Sequence, residues 1–134
     1  MIRVLLVDDH PVVRAGYLRL LTQDQDIAVV AEANNADEGY QAYVTQAPDV
    51  TITDLSMPGV GGLGLLQKIL AREATARVLV CSMYDSPQLV QRALDHGARG
   101  FVSKNAEPEE LLRAVQAVFL GQPYLSQGLH TEIS

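Results

Sequence analysis

Short apolar runs alternate along this chain with stretches whose apolar residues recur every three or four positions. That alternation is the mark of βαβ units around a parallel sheet. The first run, Arg3 to Val7, ends at Asp8-Asp9-His10. Pro11 then suits the first turn of a helix carrying Val13, Tyr17, Leu18 and Leu21 on one side. Ile27 to Ala33 predicts a second strand. Asn35, with Glu38 three residues on, predicts a capping box opening a helix that ends near Ala47-Pro48. Val50 to Thr53 predicts a third strand, ending at Asp54.

The turn Met57-Pro58-Gly59-Val60-Gly61-Gly62 leads into a helix expected over 63–72. Val78 to Cys81 predicts a fourth strand ending at Ser82, and Ser86-Pro87 an N-cap with a first-turn proline. That helix stops at His96-Gly97. Gly100 to Val102 predicts a fifth strand running into Ser103-Lys104, and Pro108 opens a last helix with Leu111, Leu112, Val115, Val118 and Phe119 as its stripe. From Gly121 onward no periodicity survives, so a domain over 1–120 and a tail or linker over 121–134 are expected. Five strand-then-helix units predict an α/β, doubly wound parallel sheet with five helices. In such sheets ligands bind beyond the carboxyl ends of the strands.

Composition narrows the class. At 134 residues, 48% hydrophobic and 19% charged, the chain has the balance of one globular domain and needs no disulfide or metal to fold. No apolar run reaches the roughly 20 residues of a membrane span, so no membrane partner is expected. The opening run is short and ends in aspartates, as a buried strand does and a signal peptide does not. The single cysteine, Cys81, fits a reducing, cytoplasmic compartment. A formal charge of −6 repels phosphate backbones, so this segment alone is not expected to bind DNA strongly.

The polar residues that follow the apolar runs are Asp8 and Asp9, Asp54, Ser82 and Lys104. All should project into one crevice. Three carboxylates so close repel one another unless a cation neutralises them. A hard, oxygen-ligated ion such as Mg²⁺ is the simple solution. Lys104 then supplies a positive point charge and Ser82 a hydroxyl, together able to stabilise charge on a transferring phosphoryl group. An aspartate can itself be the nucleophile, and Asp54, on a central strand with the other two beside it, is favoured. Taken singly, an Asp-Asp pair is a solvated turn, His10 a structural turn residue and Cys81 a core residue. Their conjunction at four strand ends is what singles them out.

These residues resemble the response-regulator receiver domains of two-component systems. Val7-Asp8-Asp9-His10 with Val13-Arg14 looks like the family's acidic opening, and Asp54-Leu55-Ser56-Met57-Pro58-Gly59 with Gly62 like its phosphoacceptor loop. Gly97-Ala98 through Gly100-Phe101-Val102-Ser103-Lys104 looks like its lysine segment. The Asp-Asp-His-Pro opening and Gly121-Gln122-Pro123-Tyr124-Leu125 are similar to the NarL/FixJ class. The resemblance implies a flavodoxin-like sheet of order 2-1-3-4-5, and phosphorylation of Asp54 by a sensor histidine kinase. It implies Mg²⁺ held by Asp9, Asp54 and the Ser56 backbone carbonyl, with Asp8 acting partly through water. Ser82 would be the switch hydroxyl, Lys104 the phosphoryl-binding cation and Phe101 the aromatic switch. The expected output is homodimerisation, or control of transcription through a helix-turn-helix domain following 121–134, the only part expected to touch DNA.

Three positions depart from the family pattern. Phe101 has no hydroxyl, Lys104 precedes Asn105 where many members have proline, and Glu107 stands before Pro108 where a Ser or Asp cap is usual. Two other classes compete with a signalling role. An aspartyl-phosphate phosphatase wants Asp-x-Asp and a cap domain, and Asp54-Leu55-Ser56 lacks the second acid. A nucleotide-binding module wants a P-loop or dinucleotide fingerprint, and glycines 59, 61, 62 and 64 fit neither. They read as a flexible turn. A stand-alone receiver acting through protein contacts is the nearer alternative.

Overall fold

A computed structural model describes residues 1–57, 61–126 and 129. Its strands are β1 (Ile2–Val7), β2 (Ile27–Ala33), β3 (Val50–Thr53), β4 (Val78–Ser82), β5 (Gly100–Ser103) and β6 (Tyr124–Leu125). Between them run α1 (Pro11–Thr22), α2 (Ala36–Gln46), α3 (Gly61–Arg72), α4 (Pro87–Asp95) and α5 (Glu109–Phe119). The strands form one sheet in the order β2-β1-β3-β4-β5-β6, every pair parallel. The expected five strands therefore stand in the expected order, and a sixth joins them.

The apolar runs are continuous because helices cover both faces of the sheet. Alternate side chains divide between two cores. Leu5, Val7, Val80 and Phe101 pack with Tyr43 of α2, Leu65, Leu66 and Ile69 of α3, and Val90 and Ala93 of α4. Val4, Leu6, Ile52, Leu79, Cys81 and Val102 pack with Leu21 of α1 and Leu111, Ala114, Val115 and Val118 of α5.

The helix signals read from sequence hold with small shifts. Asn35 Oδ1 accepts from the Glu38 N–H at 2.8 Å, while the Glu38 carboxylate reaches back to the N–H of Asn34, one residue earlier than a standard capping box. Ser86 Oγ accepts from Leu89 N–H. Gly97, just past α4, has φ +100, a conformation L side chains rarely adopt. Helix α3 begins at Gly61, two residues before the expected start, and Pro58-Gly59-Val60 of the preceding turn lie outside the described residues. No side chain caps α5, whose N-cap is Pro108, and the Lys104–Asn105 bond is not cis.

The sixth strand falls within the segment 121–134 expected as a tail or linker. Tyr124 and Leu125 pair with Gly100 and Phe101, and Ser126 Oγ accepts from the Ser103 N–H at 3.0 Å. Two residues are too few to show any period, so the strand leaves no trace in the hydropathy pattern. Among the described residues, no helix is long and apolar enough to cross a membrane.

Candidate functional site

The carboxyl ends of β1, β3 and β5 bring three polar residues into contact. Asp8 and Asp54 are buried, and the Lys104 ammonium, itself only 6% exposed, donates to Asp8 Oδ2 at 2.9 Å and to Asp54 Oδ2 at 3.0 Å. Backbone pairing places each group. The Asp54 N–H donates to Val7 O, continuing the β1–β3 ladder, and the Lys104 N–H donates to Ser82 O at 2.8 Å. Burial alone would lower the Lys104 pKa, but the hydrogen bonds and negative charges of Asp8 and Asp54 outweigh it and raise it above the ordinary lysine value. The ammonium is therefore firmly charged where it faces both carboxylates.

Asp9 and His10 complete the acidic edge. One oxygen each from Asp8, Asp9 and Asp54, with a ring nitrogen of His10, lie within 4.8 Å of one another. Asp9 Oδ1 is buried and has no hydrogen-bond partner. A buried carboxylate oxygen left in this way fits an oxygen-ligated cation, since unsatisfied buried acceptors are costly. His10, read from sequence as a structural turn residue, also faces these carboxylates. Its Nδ1 is 3.0 Å from Asp8 Oδ1, 3.1 Å from Asp9 Oδ1 and 3.5 Å from Asp54 Oδ2. The signal for this was local: Asp8 Oδ1 accepts from the His10 N–H two residues on, an Asx-turn that folds residue 10 back over the site.

Above this edge lies a cavity of about 110 Å³ lined by His10, Asp54, Ser56, Met83, Tyr84 and Lys104. The Ser56 N–H donates to Asp54 Oδ1 at 3.2 Å. Ser82 is at the end of β4 as expected, yet its Oγ accepts from the Tyr84 N–H at 3.0 Å rather than bonding Asp54 or Lys104. Phe101 is fully buried in the core beneath α4. The structure thus gathers Asp8, Asp9, Asp54 and Lys104, sets Ser56 on the cavity wall, and leaves the Ser82 hydroxyl engaged elsewhere.

Gly62 is a second residue whose reason the sequence hides. A Cβ at this position would collide with the Asp54 backbone carbonyl. The glycine is therefore required by the close approach of α3 to the strand end, not by turn flexibility.

Several known proteins resemble this chain. The model of the response regulator receiver domain matches residues 4–116. The transcriptional regulatory protein UhpA of Salmonella typhimurium is 41% identical over 134 residues, 100% of this chain and 67% of that protein. The response regulator UvrY of Escherichia coli is 37% identical over 134 residues, 100% of this chain and 62% of that protein. The chain thus spans about two thirds or less of the length of these relatives. A crystal structure of a LuxR-family two-component response regulator from Aurantimonas superposes with a TM-score of 0.92 at 38% identity, covering 95% of this chain and 91% of that one. The chain belongs to the response regulator receiver domain family, in its NarL/FixJ, or LuxR-type, class.

Proposed function

We propose that Asp54 is the phosphoacceptor of this receiver. One of its carboxylate oxygens attacks the phosphorus of a phosphohistidine on a sensor kinase, and the bond to the donor nitrogen breaks as the acyl phosphate forms. The observation that carries this is the Lys104 ammonium, held 3.0 Å from Asp54 Oδ2 in a buried site. There it neutralises the carboxylate and is placed to bind a phosphoryl oxygen attached to it.

Asp9, Asp54 and the Ser56 carbonyl, with Asp8 partly through water, are the groups we assign to Mg²⁺. When bound, the ion would supply positive charge to the phosphoryl oxygens. Ser82 leaves the Tyr84 N–H to bind a phosphoryl oxygen, and the β4–α4 segment and the packing around Phe101 follow. Because Phe101 carries no polar atom on its ring, that response is read through packing alone. The chemistry is confined to the protein's own phosphorylation and dephosphorylation.

We further assign 1–120 to the receiver unit, its sheet extended by β6, and 121–134 to a connection toward a DNA-binding helix-turn-helix domain. Cytoplasmic transcription control and a phosphorylation-driven homodimer complete the reading. Relatives named as regulators support it. Incubation with acetyl phosphate and Mg²⁺ should add the mass of one phosphoryl group. Asp54→Ala should add none; retention of that mass by the variant overturns the assignment.

A further inference from the structure

The imidazole of His10 is the one group at the acidic edge to which the phosphoacceptor reading gives no task. Its Nδ1 faces all three carboxylates, at 3.0, 3.1 and 3.5 Å. In an octahedral shell with bonds of about 2.1 Å, neighbouring ligand atoms stand about 3.0 Å apart, the diagonal of a square of that side. The spacing to Asp9, a direct ligand in that reading, matches that edge. Lys104 occupies Asp8 Oδ2, so the His10 side of the site is left with Asp8 Oδ1. His10 Nδ1 is hydrogen-bonded to Asp8 Oδ1 at 3.0 Å, whereas Asp9 Oδ1, 3.1 Å from the imidazole, has no hydrogen-bond partner. A cation seated between them gives Asp9 Oδ1 its partner and takes the place of the hydrogen bond at Nδ1. The ring is half exposed, so it can adjust toward an ion without moving the core.

We propose that His10 Nδ1 is a direct ligand of the metal centre, making a mixed carboxylate–imidazole set that favours Mn²⁺ and Co²⁺ over Mg²⁺. The inference rests on the metal-assisted phosphoacceptor reading and adds a specificity-determining residue to it. Mg²⁺ prefers an all-oxygen shell that includes water, whereas imidazole nitrogen suits the later divalent ions. Replacing a water by nitrogen at this edge therefore shifts the preference of the site without changing its carboxylates.

The test uses the whole chain loaded with Mn²⁺ and read by pulsed electron paramagnetic resonance, beside calorimetric titrations with Mn²⁺, Co²⁺ and Mg²⁺. The wild-type protein should show coupling of Mn²⁺ to an imidazole ¹⁴N, and His10→Ala should abolish it. Loss of a group that merely orients a ligand costs about 10–100-fold in affinity. His10→Ala should therefore weaken Co²⁺ by at least about tenfold and Mg²⁺ much less. Mn²⁺ bound without nitrogen coupling overturns the proposal. So does Co²⁺ binding that is unchanged or tighter in His10→Ala, which would mark the ring as a competitor for the seat. Mg²⁺-dependent phosphorylation of Asp54 in either case leaves the phosphoacceptor reading standing, and no metal binding at all in the wild-type protein removes both.

Discussion

The two sides of the crevice are built differently. On the β1–β3–β5 side, Asp8, Asp54 and Lys104 are buried and joined by bonds of 2.9 and 3.0 Å. On the β4–α4 side, Ser82 is buried but its hydroxyl is bonded to its own loop, and Met83 and Tyr84 that follow are exposed. The first side is assembled before any phosphoryl group arrives. The second carries the residues that the proposed switch has to move. Buried charges with fixed partners make a precise receptor, whereas a loop with few apolar contacts makes a segment that opens at low cost.

Removing the cation at the centre of the rigid side should have the largest effect. Lys104→Met leaves Asp8 and Asp54 buried without their partner, so urea unfolding should show a loss of about 3–5 kcal/mol. Added Mg²⁺ should restore part of it through binding to the folded state. A loss near zero would mean that the charged triad does not hold this side together.

Cys81 tests whether β4 itself belongs to the rigid part. Burial pushes its thiol up to about 12, with the Tyr17 hydrogen bond and the Lys104 charge opposing this only in part. The unfolded thiol releases its proton near pH 8.5, roughly the free value, while the folded one keeps it. The unfolded state therefore binds fewer protons between these values, and stability falls as pH rises through that window. The Cys81 share of the slope is at most about 1.4 kcal/mol per pH unit. Cys81→Ala should remove that share, and an unchanged slope would place the thiol in contact with water.

Smaller effects are expected on the β4–α4 side. Ser82→Ala deletes one hydrogen bond to its own loop and should change stability by about 1 kcal/mol or less. It should nevertheless suppress the amide shift changes in α4 and β5 that follow phosphorylation. Tyr84, 60% exposed on the cavity wall, should matter least to the fold. Tyr84→Ala should alter stability by no more than about 0.5 kcal/mol while shortening the acyl-phosphate lifetime, because the ring screens the attacking water. An unchanged dephosphorylation half-life removes that role.

The same division decides what could be read from sequence. The strands were legible because burial on both faces makes them unbroken apolar runs, and Asp8, Asp54 and Lys104 because each follows such a run. What depended on a single backbone contact was not legible. His10 enters the site through one Asx-turn, Gly62 is demanded by the Asp54 carbonyl, and Ser82 is oriented by the Tyr84 N–H. None of these leaves a period or a charge pattern. The two residues of β6 are too short to do so.

That short strand decides how the chain can be cut. Without Tyr124–Ser126, β5 becomes a bare sheet margin, and the amide of Ser103, next to the phosphoryl-binding lysine, loses its acceptor. An open margin invites pairing with other chains. A shortened version ending at α5 is thus expected to be stickier, with its lysine less firmly seated.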